Sequence, residues 1–148
     1  MNVSFVSIRL VREKTLRYET HITSPENSYK IAKEILANAD KETLAVFCLD
    51  TRNRINAINI VSIGTTNSAD ANPREIFKAA ILSNSVAIVL AHNHPSGDCK
   101  PSSNDLKITR QVAEAGRILE IELLDHIVLG ENDYWSAKES RKDLFKED

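Results

Sequence analysis

Val86 to Ala91 reads VAIVLA, the most apolar strand-like run in the chain, and it belongs at the centre of a sheet. The flanking segments supply its neighbours. Residues 3–11 (VSFVSIRLV) alternate and are expected to form a first strand. Ser24-Pro25-Glu26 has the chemistry of a helix start, Ser as N-cap and Pro at the first helical position. Tyr29, Ile31, Ala32, Ile35 and Leu36 give that helix one apolar face. Leu44 to Leu49 is a buried strand, Asp50 to Asn53 a turn, and Ile55 to Ile63 an alternating antiparallel partner, together a hairpin. Gly64 to Asp70 is a polar loop, and Asn72-Pro73-Arg74-Glu75 opens a second helix. A polar loop, His92 to Pro101, follows the central strand. Ser102 to Ala115 is then a third helix, closed by Gly116 at C′. Ile118 to Leu129 supplies a strand, Gly130 to Asp133 a turn, and Tyr134 to Ser136 a last short strand. The order β-α-β-β-α-β-α-β-β predicts an α/β sandwich, a mixed sheet flanked by about three helices. Residues 1–139 parse as one domain, and 140–148 as a charged tail that frays.

A chain of 148 residues can bury a core without staples. Lys and Arg number 19 against 21 Asp and Glu, a net charge of −2, with the signs interspersed. The nearest approach to a basic run, Arg9, Arg12, Lys14 and Arg17, is interrupted by Glu13. That balance argues against strong nucleic-acid binding. No segment approaches the ~18 apolar residues of a membrane span, and the N-terminus is not a signal peptide. Cys48, inside LAVFCLD, is a small core residue and forms no CxxC pair with Cys99, so a cytoplasmic setting is expected.

The chemistry is concentrated in LAHNHPSGDCKPSSND, residues 90–105. His92 and His94 are two apart at a strand end, so both imidazoles leave from one face. Asp105 lies one turn into the next helix, where the loop can fold it back beside them. Two His and one carboxylate suit zinc and fill three tetrahedral positions, leaving one for water. The spacing alone leaves another reading open. Two His on one strand face are often ordinary polar side chains, and Ser102 with Asp105 also fits a capping box with Asp for Glu. A long polar loop at a sheet's carboxyl edge, where functional groups collect, favours the site.

At these residues the chain resembles a known family. His92-x-His94, seven residues, Ser102, two residues, Asp105 is similar to the HxHx7SxxD signature of the JAMM (JAB/MPN) metalloproteases. The wording HNHPSGDxxPSxxD resembles the bacterial RadC branch, once labelled a DNA repair protein. SPENSYKIAKEIL, ETLAVFCLDTRNR, NPREIFKAAI and LLDHIVLG resemble RadC segments in the same order, over roughly residues 22–139. The resemblance implies a cytidine-deaminase-like JAMM sandwich that holds Zn2+ through His92, His94 and Asp105. It also implies a glutamate acting as general base, and Glu42 at the head of ETLAVFCLD is the matching position. Ser102 would stabilise an oxyanion. The implied reaction is hydrolysis of an amide, peptide or isopeptide bond, with a peptide or protein as substrate. Two alternatives stand beside it: a non-catalytic JAMM-fold interaction module, and a DNA-transaction protein.

Two departures matter. RadC proteins commonly carry an N-terminal helix-hairpin-helix region, which this chain is expected to lack, so a DNA role tied to it does not transfer. Cys99 stands where RadC sequences usually have Pro, and a thiol there could compete for a metal's open position. Asp125 and His126 also belong to the resemblance and could reach the outer shell of the metal. Asn93, between the two His, points to the opposite face and is structural; His21 carries no assigned role.

Overall fold

Pairing around the apolar run sets the architecture. The computed structural model describes residues 1–15, 21–36, 38–63 and 71–147. Its elements are α1 (Pro25–Leu36), β1 (Thr43–Leu49), β2 (Ile55–Ile63), α2 (Pro73–Leu82), β3 (Ala87–Asn93), α3 (Ser103–Leu119), β4 (Glu122–Leu129), β5 (Tyr134–Ser136) and α4 (Ala137–Ser140). A 3-10 turn, Lys142–Phe145, follows. The sheet has five strands in the order β2-β1-β3-β4-β5, so VAIVLA does lie at its centre. β1 runs antiparallel to both β2 and β3, β3 runs parallel to β4, and β5 returns antiparallel: a mixed sheet. This is an α/β sandwich of the expected class.

Each face of the sheet has its own core. Leu44, Val46, Cys48, Ile88 and Leu90 pack on one face with Ile76 and Phe77 of α2 and Val112 of α3. Ala45, Phe47, Leu49, Val89 and Ala91 pack on the other with Ile31 and Leu36 of α1. Alternation along β1 and β3 sends successive side chains to opposite cores, which is why Leu44–Leu49 and Ala87–Ala91 are apolar at every position. The helix starts follow the local chemistry. The Asn27 N–H donates to Ser24 Oγ at 3.1 Å, and the Glu75 N–H to the Asn72 side chain at 3.1 Å. The hairpin turn is closed by Asp50, whose Oδ1 accepts from the Arg52 and Arg54 N–H groups at 2.8 and 3.0 Å.

Four expectations need correction. Residues 3–11 form no strand: Val3, Phe5 and Ile8 stand in solvent, and the incoming chain meets the sheet through an isolated bridge, His21 against Arg54. Alternation makes a strand only where an edge accepts it. Gly116 does not close α3, which continues to Leu119 and ends at Glu120 in the left-handed region (φ 59°). Gly116 lies inside the helix, at a position where a Cβ would run into the Ile121 carbonyl oxygen. The strand after α3 accordingly starts at Glu122 rather than Ile118. The charged tail does not fray: α4 and the 3-10 turn fold back, Leu144 is buried, and Arg117 donates to the Phe145 carbonyl at 3.1 Å. The loop expected at Gly64 to Asp70 lies outside the described residues.

Candidate metal centre

β3 extends two residues beyond the apolar run, to Asn93, and so carries His92 inside the sheet, opposite Leu44 of β1 and Val128 of β4. Ile88, Leu90 and His92 alternate onto the α2/α3 face, so His92 is buried at the end of that core. His94 follows on the same side. It opens a turn through Pro95 and Ser96 to Gly97, whose N–H returns to the His94 carbonyl at 2.9 Å. Gly97 has φ +86°, a conformation that suits glycine. The turn is tied to the sheet by the His94 N–H on the Leu129 carbonyl and the Glu131 N–H on the Gly97 carbonyl, both 2.9 Å. His94 Nδ1 lies 2.8 Å from the Asp98 carbonyl oxygen. A carbonyl can only accept, so His94 Nδ1 carries a hydrogen and donates it.

Asp105 serves both readings that the spacing left open. Its N–H donates to Ser102 Oγ at 3.0 Å, while its Oδ2 accepts the Ser102 N–H at 2.7 Å, a capping box at the start of α3. The same carboxylate faces the imidazoles: Oδ1 is 3.2 Å from His92 Nε2, and Oδ2 is 3.1 Å from His94 Nε2. The cap is what aims the carboxylate.

Glu42 immediately precedes β1, and its Oε1 lies 3.7 Å from His92 Nε2 and 3.9 Å from His94 Nε2. Asn93 holds it there from the opposite face of β3. The Thr43 N–H donates to Asn93 Oδ1 at 2.7 Å, and Asn93 Nδ2 donates to the Lys41 carbonyl at 3.1 Å. One amide therefore grips the backbone on both sides of Glu42.

Among the described residues, Glu42, His92, His94 and Asp105 form a group that could hold a metal ion. The donor set fits one. The two Nε2 atoms stand 3.0 Å apart with a carboxylate oxygen within 3.2 Å of each. Bonds of 2.0–2.2 Å to a tetrahedral ion place donors about 3.3 Å apart, close to these separations. Glu42 stands farther out than that edge. The position of Asp105 reflects a balance of forces. Burial alone would raise its carboxyl, but the His92 and His94 imidazoles set against it hold it well below the usual carboxylate range. His94 is raised above the ordinary imidazole value, chiefly by its hydrogen bond with Asp105. A cluster so rich in acceptors calls for a shared cation or proton.

The remaining candidates divide. His126 reaches the cluster: its Nε2 is 2.8 Å from His92 Nδ1. Burial beside His92 pushes its pKa down to about 3, so the ring is neutral. Asp125 goes elsewhere, accepting from Ser136 Oγ at 2.7 Å and from the His126 and Lys138 N–H groups. It pins β5 and α4 rather than an imidazole. The Cys99 thiol lies beside Asp133 in the turn after β4, outside the four-residue group; burial and that carboxylate raise its pKa. Thr109, which the sequence reading passed over, places Oγ1 2.7 Å from His126 Nδ1 and 2.7 Å from the Asp105 carbonyl oxygen. The available signal was its spacing, one helical turn after Asp105 on the buried face.

A mixed sheet between helices, with two imidazoles and a capped aspartate at one strand end, defines a JAB/MPN-type domain with a metal-capable site. Residues 22–142 match the RadC-like JAB domain family, and the chain belongs to that family. A UPF0758 protein of Desulfitobacterium hafniense is 46% identical over 118 residues, 80% of this chain and 52% of that protein. A UPF0758 protein of Methanosarcina barkeri is 40% identical over 118 residues, again 80% of this chain and 52% of the relative. The chain thus spans about half the length of the curated relatives it matches. Among the described residues, no helix is long and apolar enough to cross a membrane.

Proposed function

We propose that this domain is a zinc-dependent hydrolase that cleaves an amide bond in a peptide or protein, as a metallopeptidase or isopeptidase. The observation that carries the reading is the convergence of His92, His94 and Asp105, with a fourth carboxylate set back at 3.7–3.9 Å. His92, His94 and Asp105 would hold the ion. Bound zinc supplies Lewis acidity, bringing the pKa of a water towards ~7 and polarising a carbonyl. Glu42, a third exposed and facing both imidazoles from a little farther out than Asp105, takes the proton of the attacking water at Oε1 and returns it to the leaving amine. Ser102 is exposed, and its Oγ already accepts the Asp105 N–H. Its own proton is therefore available to a developing oxyanion, a contribution on the order of 3 kcal/mol for one such donor.

The test has two parts. Purified protein should contain about one zinc per chain, lost in His92→Ala and Asp105→Ala. A panel of peptides and isopeptide-linked conjugates followed by mass spectrometry should then show zinc-dependent cleavage. Full zinc retention in both variants would sink the reading, and zinc without cleavage would favour an interaction module. The same proposal gives the domain a peptide or protein partner and no strong nucleic-acid ligand. Sub-micromolar DNA affinity near physiological salt would displace it.

A further inference from the structure

Three buried side chains form a hydrogen-bonded line behind the candidate metal site. His92 Nδ1 is 2.8 Å from His126 Nε2, His126 Nδ1 is 2.7 Å from Thr109 Oγ1, and Thr109 Oγ1 is 2.7 Å from the Asp105 carbonyl oxygen. Exposure is 4% for His92, 1% for His126 and 0% for Thr109, so water does not compete for these bonds. Counting donors orients the line. The Asp105 carbonyl can only accept, so Thr109 gives it the one hydroxyl proton. Towards His126 the hydroxyl then accepts, so His126 Nδ1 carries a hydrogen. In a neutral imidazole the other nitrogen is an acceptor, which obliges His92 to donate from Nδ1. His92 Nε2 is left with its lone pair, aimed at the cluster of His94 and Asp105.

We propose that Thr109 and His126 are positioning residues that hold His92 in its Nδ1–H tautomer, so that Nε2 is offered to a metal ion. The inference rests on the metal reading of the site. The reversed line fails twice. It would leave the 2.7 Å contact between Thr109 Oγ1 and the Asp105 carbonyl without a proton, and it would put an N–H where a metal needs a lone pair. The line also returns to Asp105, so one set of bonds orients donors from both β3 and α3. Most metal-binding imidazoles lean on a carboxylate, a carbonyl or water. Here the partner is a second imidazole whose polarity is set by a threonine.

Two measurements test this. In the metal-free wild-type protein, long-range 1H–15N correlation spectra should show His92 protonated at Nδ1 and bare at Nε2. A dominant Nε2–H form would overturn the proposal, and it would do so whether or not zinc binds. Zinc affinity by chelator competition should fall about 10–100-fold in His126→Leu, the usual range for loss of such a partner. It should return largely in His126→Gln, whose amide oxygen can accept from His92. Thr109→Val, nearly isosteric, should mix the His92 tautomers and weaken zinc several-fold, even if His126→Leu fails to fold. Wild-type tautomer and affinity in folded Thr109→Val would overturn the proposal. A wild-type protein that takes up no zinc would instead refute the metal reading, leaving the spectra to decide the tautomer.

Discussion

Glu42 and Asp105 both face the same two imidazoles, yet their surroundings give them different work. The Asp105 side chain is 8% exposed and is fixed by the Ser102 N–H, whereas Glu42 is 33% exposed and stands farther from both nitrogens. Replacing Glu42 with Gln removes a proton acceptor without removing a near donor. Glu42→Gln should keep zinc and thermal stability while hydrolysis falls about 10²–10⁴-fold, the share a general base supplies. Loss of zinc in that variant would make Glu42 a ligand instead. Cys48 offers a separate test at this scale. Burial pushes its pKa from the ordinary 9.0 to about 11. The folded value lies above the unfolded one, so the unfolded chain releases the proton first. The stability from this group is full below pH 9 and is lost as pH rises towards 11, by at most ~1.4 kcal/mol per pH unit. Urea melts at pH 8 and pH 10 should show a smaller decline in Cys48→Ala than in wild type; equal declines would refute the linkage. The sequence made His92, His94 and Asp105 legible because strand period and helix capping are local rules. Glu42 was legible only through a family resemblance, since nothing local marks an acid before a strand.

Between elements, registers decide what faces what, and sequence is weakest there. β3 and β4 pair Ile88 with Leu123 but Val89 with Asp125, a shift that leaves Leu124 extra. Without it, Asp125 would stand beside Leu90 on the α2/α3 face and His126 beside Ala91 on the other. The shift reverses the two, which is why Asp125 and His126 were equal candidates in the sequence and are not in the fold. The first strand failed for a related reason, because alternation does not say whether an edge is waiting. Gly116 makes this scale testable. Ala is the better helix former by about 1 kcal/mol, so propensity alone predicts stabilisation by Gly116→Ala. The Ile121 carbonyl blocks the new Cβ, so the variant should instead lose about 1–3 kcal/mol, the usual cost of overpacking. Stabilisation on urea unfolding would refute the close approach of α3 and β4. Asn93 links β3 to the segment carrying Glu42. Asn93→Ala should therefore lower hydrolysis at least tenfold while zinc affinity changes little, and equal losses in both would mean that Asn93 supports the whole site.

At the scale of the molecule, the candidate site joins parts distant in sequence. His92 and His94 come from the end of β3, Asp105 from the start of α3, and Glu42 from the head of β1. An ion held there would bind the folded chain and not the unfolded one, since the donors converge only when α3 lies against the sheet. Such a ligand stabilises by mass action, by about 4 kcal/mol when its free concentration is a thousand times Kd. For a chain near 150 residues, each kcal/mol raises Tm by roughly 2–4 °C. Saturating zinc should therefore raise the Tm of metal-free protein by about 8–16 °C. Magnesium should do much less, because two imidazoles are poor ligands for a hard cation. The rise should vanish in His92→Ala and Asp105→Ala, shrink in His126→Leu, and persist in Glu42→Gln. Differential scanning calorimetry on chelator-treated protein, with and without zinc, separates these cases. An equal rise in wild type and His92→Ala would mean that zinc binds elsewhere, and no rise in wild type would remove the ion from the account of this fold.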